Sequence, residues 1–282
     1  MSIKKTAKEI LNEYADTSDM RTVRTLLASI KNLSSEDIAF RSGDFSFNKT
    51  ECALFFDMMS RYKANEPISK ILNKKAFWKH IFYVDENVLD PRPETELIIE
   101  SVLKILDRNS SLRFLDVGTG SGCILLSLLL EFKNSCGVGI DISRKAVQVA
   151  EKNKKILDVK NAIFTNIDWN DLFENFQEPS FDVLVSNPPY IKSQDILSLD
   201  ANVMDYDPQI ALDGGNDGLT AYREISNIAA KILRNNGLII FEIGYGQASD
   251  ISTILLQNAF QVINIVEDLN KIERVIVGKK HV

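Results

Sequence analysis

Cysteine, histidine and net positive charge are all scarce in this chain. Its three cysteines, Cys52, Cys123 and Cys136, form no Cys-x-x-Cys pair, and its two histidines, His80 and His281, lie far apart. Neither a zinc-ligand spacing nor a disulfide framework is visible, so no metal is expected, and a reducing, cytoplasmic setting fits. Lys and Arg number 33 against 39 Asp and Glu, a net charge of −6. No global basic field draws the chain to a nucleic-acid backbone, and direct nucleic-acid contact is not expected. Long apolar runs are missing too. The longest, near residues 124–130, is too short to span a bilayer. Residues 1–5 lack the apolar stretch of a signal peptide, so no membrane partner is expected. There is no internal repeat and no low-complexity tract.

What remains is a chain with 45% hydrophobic residues, enough for a substantial core, at a length that suits one large or two modest domains. Residues 1–75 read as short amphipathic helices that form a small N-terminal bundle. Ile10, Leu11 and Tyr14 mark one apolar face. Ser18 is placed to cap a second helix carrying Val23, Leu26, Leu27 and Ile30. Ser35 starts a third, and Asn48 or Thr50 opens a fourth that stops before Pro67. The apolar stripes read as core, and substrate docking is the role open to this domain. Residues 76–92 change character. Phe77, Trp78, Ile81, Phe82, Tyr83 and Val84 make a short hairpin or an extended linker. Pro93 then suits the first turn of a helix, and Glu94 and Glu96 suit its positive end. Arg92 has no part in starting a helix.

Residues 93–282 alternate strands with helices, the pattern of an α/β fold with a doubly wound, mostly parallel sheet. A strand at 112–117 runs into Gly118-Thr119-Gly120-Ser121-Gly122, and a helix follows at 124–132. That arrangement lets a ligand approach backbone N–H groups at a helix N-terminus. A second strand ends at Asp141. This carboxylate stands about twenty residues past the loop, where it can accept both hydroxyls of a ribose, by the logic of the dinucleotide fingerprint. The fingerprint itself is broken, because Cys123 stands where its third glycine would fall. A third strand, 162–165, ends near Asp168-Trp169. A fourth ends at Asn187-Pro188-Pro189-Tyr190. Two prolines cannot continue a ladder, and each restricts the residue before it. The chain therefore leaves the sheet in a stiff turn that fixes an amide side chain, the Pro188 carbonyl and an aromatic ring relative to one another. A helix at 219–233, a fifth strand beginning at Gly237, a helix at 248–256 and closing strands at 262–266 and 275–277 complete the pattern. Ligands in such sheets sit beyond the carboxyl ends of the strands, at the switch point. The glycine loop, Asp141, Asp168 and Asn187 all fall at carboxyl ends, which points to one crevice for a nucleoside-containing cofactor.

Asp116-Val117-Gly118-Thr119-Gly120-Ser121-Gly122 with a later Asn187-Pro188-Pro189-Tyr190 resembles the class I S-adenosylmethionine-dependent methyltransferases that act on a planar amide or amine nitrogen. Pro91-Arg92-Pro93-Glu94-Thr95-Glu96, the Asp168-Trp169 pair and the helical N-terminal region narrow the resemblance. Together they look like the peptide chain release factor glutamine methyltransferase family (PrmC/HemK). The resemblance covers nearly the whole chain and is strongest over residues 77–191. It implies a class I methyltransferase fold whose last strand runs antiparallel, with S-adenosyl-L-methionine as cofactor. It implies methylation of the side-chain amide of a glutamine in the Gly-Gly-Gln loop of release factors, which serve translation termination. By the same resemblance Gly118, Thr119, Gly120, Ser121, Gly122, Asp141 and Asn187 hold the cofactor. Trp169 lies along its adenine, and Asp168 accepts the adenine amino group. Asn187, Pro188, Pro189 and Tyr190 take the glutamine amide. The sequence departs from the family at Lys70 and Asn73, where an aromatic residue and a glycine are usual.

A primary amide nitrogen is a weak nucleophile, because its lone pair is delocalised into the carbonyl. Two acceptors that hold its N–H₂ group, the Asn187 side-chain oxygen and the Pro188 carbonyl, would aim it and favour the charge that develops on attack. Tyr190 would pack on the amide plane. Neither a general base nor a metal is required. Arg92, Glu94 and Glu96 are candidates for the entrance, the plainer alternative being solvated helix caps. An adenine amino methyltransferase of nucleic acid shares the loop and the turn, but it flips its base and carries a basic recognition region that this acidic chain lacks. A non-catalytic nucleoside-binding module keeps the loop and Asp141 but leaves Asn187 to Tyr190 without a purpose.

Overall fold

A computed structural model describes residues 4–15, 19–172, 176 and 179–281. The chain forms two compact units, Met1–Asn73 and Lys74–Val282.

In the first unit β1 (Lys5–Thr6) pairs with β2 (Ser46–Phe47), and α1 (Ala7–Tyr14), α2 (Met20–Lys31), α3 (Ser35–Phe40), α4 (Lys49–Lys63) and α5 (Ile68–Leu72) surround a small core. Ile10, Leu26, Phe47 and Phe55 are fully buried in that core. Local chemistry sets the starts. The capping-box spacing puts Asn48 opposite Glu51, so Asn48 and not Thr50 opens α4. It also puts Ser34 opposite Asp37, so Ser34 caps α3, which starts at Ser35 as expected. The expected cap Ser18 lies outside the described residues, and Asp19 accepts from the Arg21 and Thr22 amides at the head of α2. Of the two departures from the family pattern, Asn73 closes α5 in the left-handed region at φ 51°. Asparagine tolerates that conformation nearly as glycine does, which explains why the exchange is compatible with the turn. Lys70 is buried, with 3% exposure.

The second unit opens with a hairpin, β3 (Lys75–Phe77) and β4 (His80–Phe82), which decides between the two readings of this segment. Phe77 and Phe82 meet edge to face and join the core beside Ile98 and Ile99. A short 3₁₀ turn, Pro93–Thr95, leads into α6 (Glu96–Ile105). The main sheet comprises β5 (Arg113–Val117), β6 (Cys136–Asp141), β7 (Ala162–Asn166), β8 (Phe181–Ser186), β9 (Leu233–Glu242), β10 (Phe260–Glu267) and β11 (Glu273–Lys280). Their order is β10-β11-β9-β8-β5-β6-β7. Strands β5 to β9 pair in parallel, and β11 is antiparallel to both of its neighbours. Adjacent residues such as Phe114 and Leu115, or Val183 and Leu184, fall in different core clusters, so the sheet is covered on both faces. Helices α7 (Cys123–Glu131), α8 (Arg144–Ile156), α10 (Thr220–Ile232) and α11 (Ala248–Gln257) flank the sheet, and α9 (Ala201–Met204) is a short turn in the long loop after β8. β9 begins at Leu233, earlier than the expected Gly237. Leu233 pairs with Phe181, and the register then shifts around Asn236, whose φ of 63° breaks the regular strand.

Candidate active site

β6 and β8 lie on opposite sides of β5, which makes the carboxyl end of β5 the switch point. The glycine loop leaves from there. At Gly120 φ is +53°, and no atom lies within 4 Å of where a Cβ would sit, so the backbone is open to a ligand. Gly122, at φ +78°, serves packing instead, since a Cβ there would come 2.9 Å from the Phe164 ring. Asp141 ties the loop to the next strand. Its Oδ2 accepts from the Gly120 amide at 2.9 Å, and its Oδ1 from the Ser143 amide at 2.8 Å. Burial raises the pKa of this carboxyl against the lowering effect of those two bonds. Beneath the loop the fully buried Asp116 accepts from the Thr119 hydroxyl at 2.6 Å, and burial pushes its carboxyl up to about 7.

Over these carboxyl ends opens a cavity of about 580 Å³. Gly118, Thr119, Gly120 and Ser121 form one wall, and Asp141, Asp168 and Trp169 another. Asn187 and Pro189 stand at the end of β8. Gly122 does not line it. The Trp169 indole N–H donates to Glu224 at 2.8 Å, which fixes the plane of the ring. Asp168 caps the short turn Trp169–Asp171 by accepting from the Asn170 amide.

A second cavity, of about 290 Å³, adjoins the first at Asn187. Tyr190, Arg92, Glu94, Glu242 and Arg274 line it, and Asn187 lines both. Pro188 is buried and lines neither. Arg92 is held by Asp207 at 2.8 Å. Glu96, the third charged candidate for the entrance, is turned away. It accepts from the Trp78 amide at 2.8 Å and so fastens the hairpin to α6.

The turn after β8 is held from several sides. The Ser186 hydroxyl donates to the Val117 carbonyl at 2.7 Å, the Gly214 amide to the Ile191 carbonyl at 2.8 Å, and the Gln247 side chain to the Tyr190 carbonyl at 3.2 Å. A Cβ on Gly214 would lie 2.8 Å from both the Pro189 oxygen and the Tyr190 Cα, which are backbone atoms that cannot swing aside. Gly214→Ala is therefore expected to shift the turn and lower turnover by roughly tenfold or more. Unchanged single-turnover rates would show that the turn tolerates this displacement.

Side-chain chemistry continues behind Asn187. Its Nδ2 donates to the Thr95 Oγ1 at 3.3 Å, and the Thr95 hydroxyl donates to the Glu242 Oε2 at 2.6 Å. Desolvation pushes the Glu242 carboxyl up to about 7. Thr95, Glu242, Gly214 and Gln247 were not among the sequence candidates. The available signal was Glu242 itself, a carboxylate at the end of an otherwise apolar strand.

A family model for a methyltransferase domain matches residues 108–271. A release factor glutamine methyltransferase from Caulobacter vibrioides is 39% identical, covering 82% of this chain and 79% of that protein. One from Thermodesulfovibrio yellowstonii is 35% identical over 97% of this chain and 96% of its own. Among solved structures, a methyltransferase from Pyrococcus furiosus superposes with a TM-score of 0.55 at 15% identity, covering 80% of this chain and 99% of that one, and so shares the fold.

Proposed function

The chain belongs to the family of release factor glutamine methyltransferases, and we propose a division of labour among its residues for moving a methyl group from S-adenosyl-L-methionine to the side-chain amide nitrogen of a glutamine. The observation that carries this division is Asn187, which stands on the wall common to both cavities. The larger cavity takes the methyl donor and the smaller one the glutamine.

The walls of the larger cavity suit that cofactor chemically. Open backbone at Gly118 and Gly120 takes its polar tail. Asp141 takes the ribose hydroxyls, each carboxylate oxygen keeping lone-pair capacity beyond its one backbone bond. Trp169 lies along the adenine, and Asp168 accepts the adenine amino group. When bound, the cofactor supplies an electrophilic methyl on a sulfonium that departs as a neutral sulfide. The chain's own work is positioning. The Asn187 side-chain oxygen and the Pro188 carbonyl accept the two amide hydrogens, and Tyr190 packs on the amide plane. As the nitrogen forms its bond to carbon, one of its protons passes to water, and the two acceptors stabilise the charge that builds meanwhile.

The partners are peptide chain release factors, methylated in the cytoplasm at a Gly-Gly-Gln loop, with the unit Met1–Asn73 as a docking surface and no direct contact with nucleic acid. Labelled cofactor incubated with intact release factor, followed by mass spectrometry, should place one methyl group on that glutamine. Methylation of adenine in DNA, with none on the factor, would overturn the assignment in favour of an adenine amino methyltransferase.

A further inference from the structure

An asparagine amide has two opposite ends of nearly equal shape. An oxygen facing the acceptor holds a glutamine N–H, whereas an N–H₂ there repels it. Which end faces the acceptor is settled behind the residue. The Thr95 hydroxyl has one hydrogen, and it goes to the Glu242 Oε2 at 2.6 Å. The Thr95 oxygen can then only accept on its other side, where the Asn187 Nδ2 meets it. The Asn187 Oδ1 is thereby left for the acceptor. Thr95 and Glu242 are each only 2% exposed.

We propose that Thr95 and Glu242 are positioning residues that fix which end of the Asn187 amide faces the glutamine. Thr95 borders the larger cavity and Glu242 the smaller one, but the role assigned to them is exerted through Asn187, and it rests on the assignment of Asn187 as the acceptor of the glutamine amide hydrogens. The direction of the chain depends on Glu242 accepting. Once protonated, Glu242 donates to Thr95, Thr95 donates to Asn187, and Asn187 turns its N–H₂ group toward the glutamine. The groups that face Glu242 are Thr95, Glu94 and Arg92 before α6, Cys123 on α7, Tyr190 after β8, Tyr222 on α10 and Arg274 on β11. Glu94 opposes ionisation of Glu242, while Arg92 and Arg274 favour it. With the carboxyl at about 7, kcat on release factor should fall on the acid side of neutrality.

The test is the pH profile of kcat, with KM for intact release factor and Kd for the cofactor, in the wild type and three variants. Thr95→Val should lose about 10–100-fold in kcat and show no acid limb, with cofactor Kd within about twofold. Thr95→Ser should restore both rate and limb. Glu242→Gln, which cannot titrate, should lack the limb and carries the test alone should Thr95→Val fail to fold. Wild-type rate in folded Thr95→Val, or an acid limb that persists in both Thr95→Val and Glu242→Gln, overturns the pair while the wild type still methylates the factor. A wild type that methylates no release factor overturns the acceptor assignment, and the pair with it.

Discussion

Alanine at position 187 is expected to leave cofactor affinity almost unchanged while methyl transfer at saturating cofactor falls by about 10²–10³-fold, the usual cost of removing one preorganised polar partner from a reacting group. Two losses coincide. The glutamine amide is left with one acceptor instead of two, so its nitrogen is no longer aimed, and the Thr95 oxygen loses the N–H it accepted from. Asn187 is half-buried at the end of β8 and adds little to the core, so the melting temperature should change little. Single-turnover measurements separate the chemical step from binding. Turnover near wild type would remove Asn187 from the acceptor site and end the positioning account.

Asp141→Ala should act on the opposite quantity. Its carboxylate accepts from the Gly120 and Ser143 amides, and it is assigned the ribose. Removal both frees the loop and strands polar groups, for an expected cost of about 2–3 kcal/mol in cofactor binding. That is roughly 30–150-fold in Kd. At saturating cofactor kcat should stay within a few-fold. Calorimetry is the direct check, and unchanged affinity would show that Asp141 braces the loop without touching the cofactor.

What was legible in the chain was what is encoded locally. Apolar runs broken by glycine and proline place the strand ends, and the residues at those ends, Gly120, Asp141, Asp168 and Asn187, line one cavity because parallel strands bring every carboxyl end to the same edge. Helix starts were legible locally, as Ser35 at the head of α3 shows. Glu242 was not, because its meaning depends on Thr95, 147 residues earlier. Thr95 itself sat inside a motif that reads as helix initiation. Gly214 looked like any loop glycine, and only the approach of the Tyr190 backbone reveals its function. Arg92 and Glu94 line the smaller cavity, while Glu96 was drawn off by a backbone amide of the hairpin.

The insertion of β11 between β9 and β10 also governs when the site can be finished during synthesis. Gly120, Asp141 and Asn187 leave the ribosome well before Val275, which is the ladder partner of Glu242. Until β11 arrives, β9 is an open edge bearing Ile239, Ile240 and Phe241, the kind of flat apolar strand that pairs with neighbouring chains. A chain halted before Glu273 would thus hold every residue assigned to the cofactor and yet leave Glu242 on an unpaired margin. On the proposed assignment the nascent chain completes its donor pocket early and its acceptor geometry last, and aggregation is the risk in between.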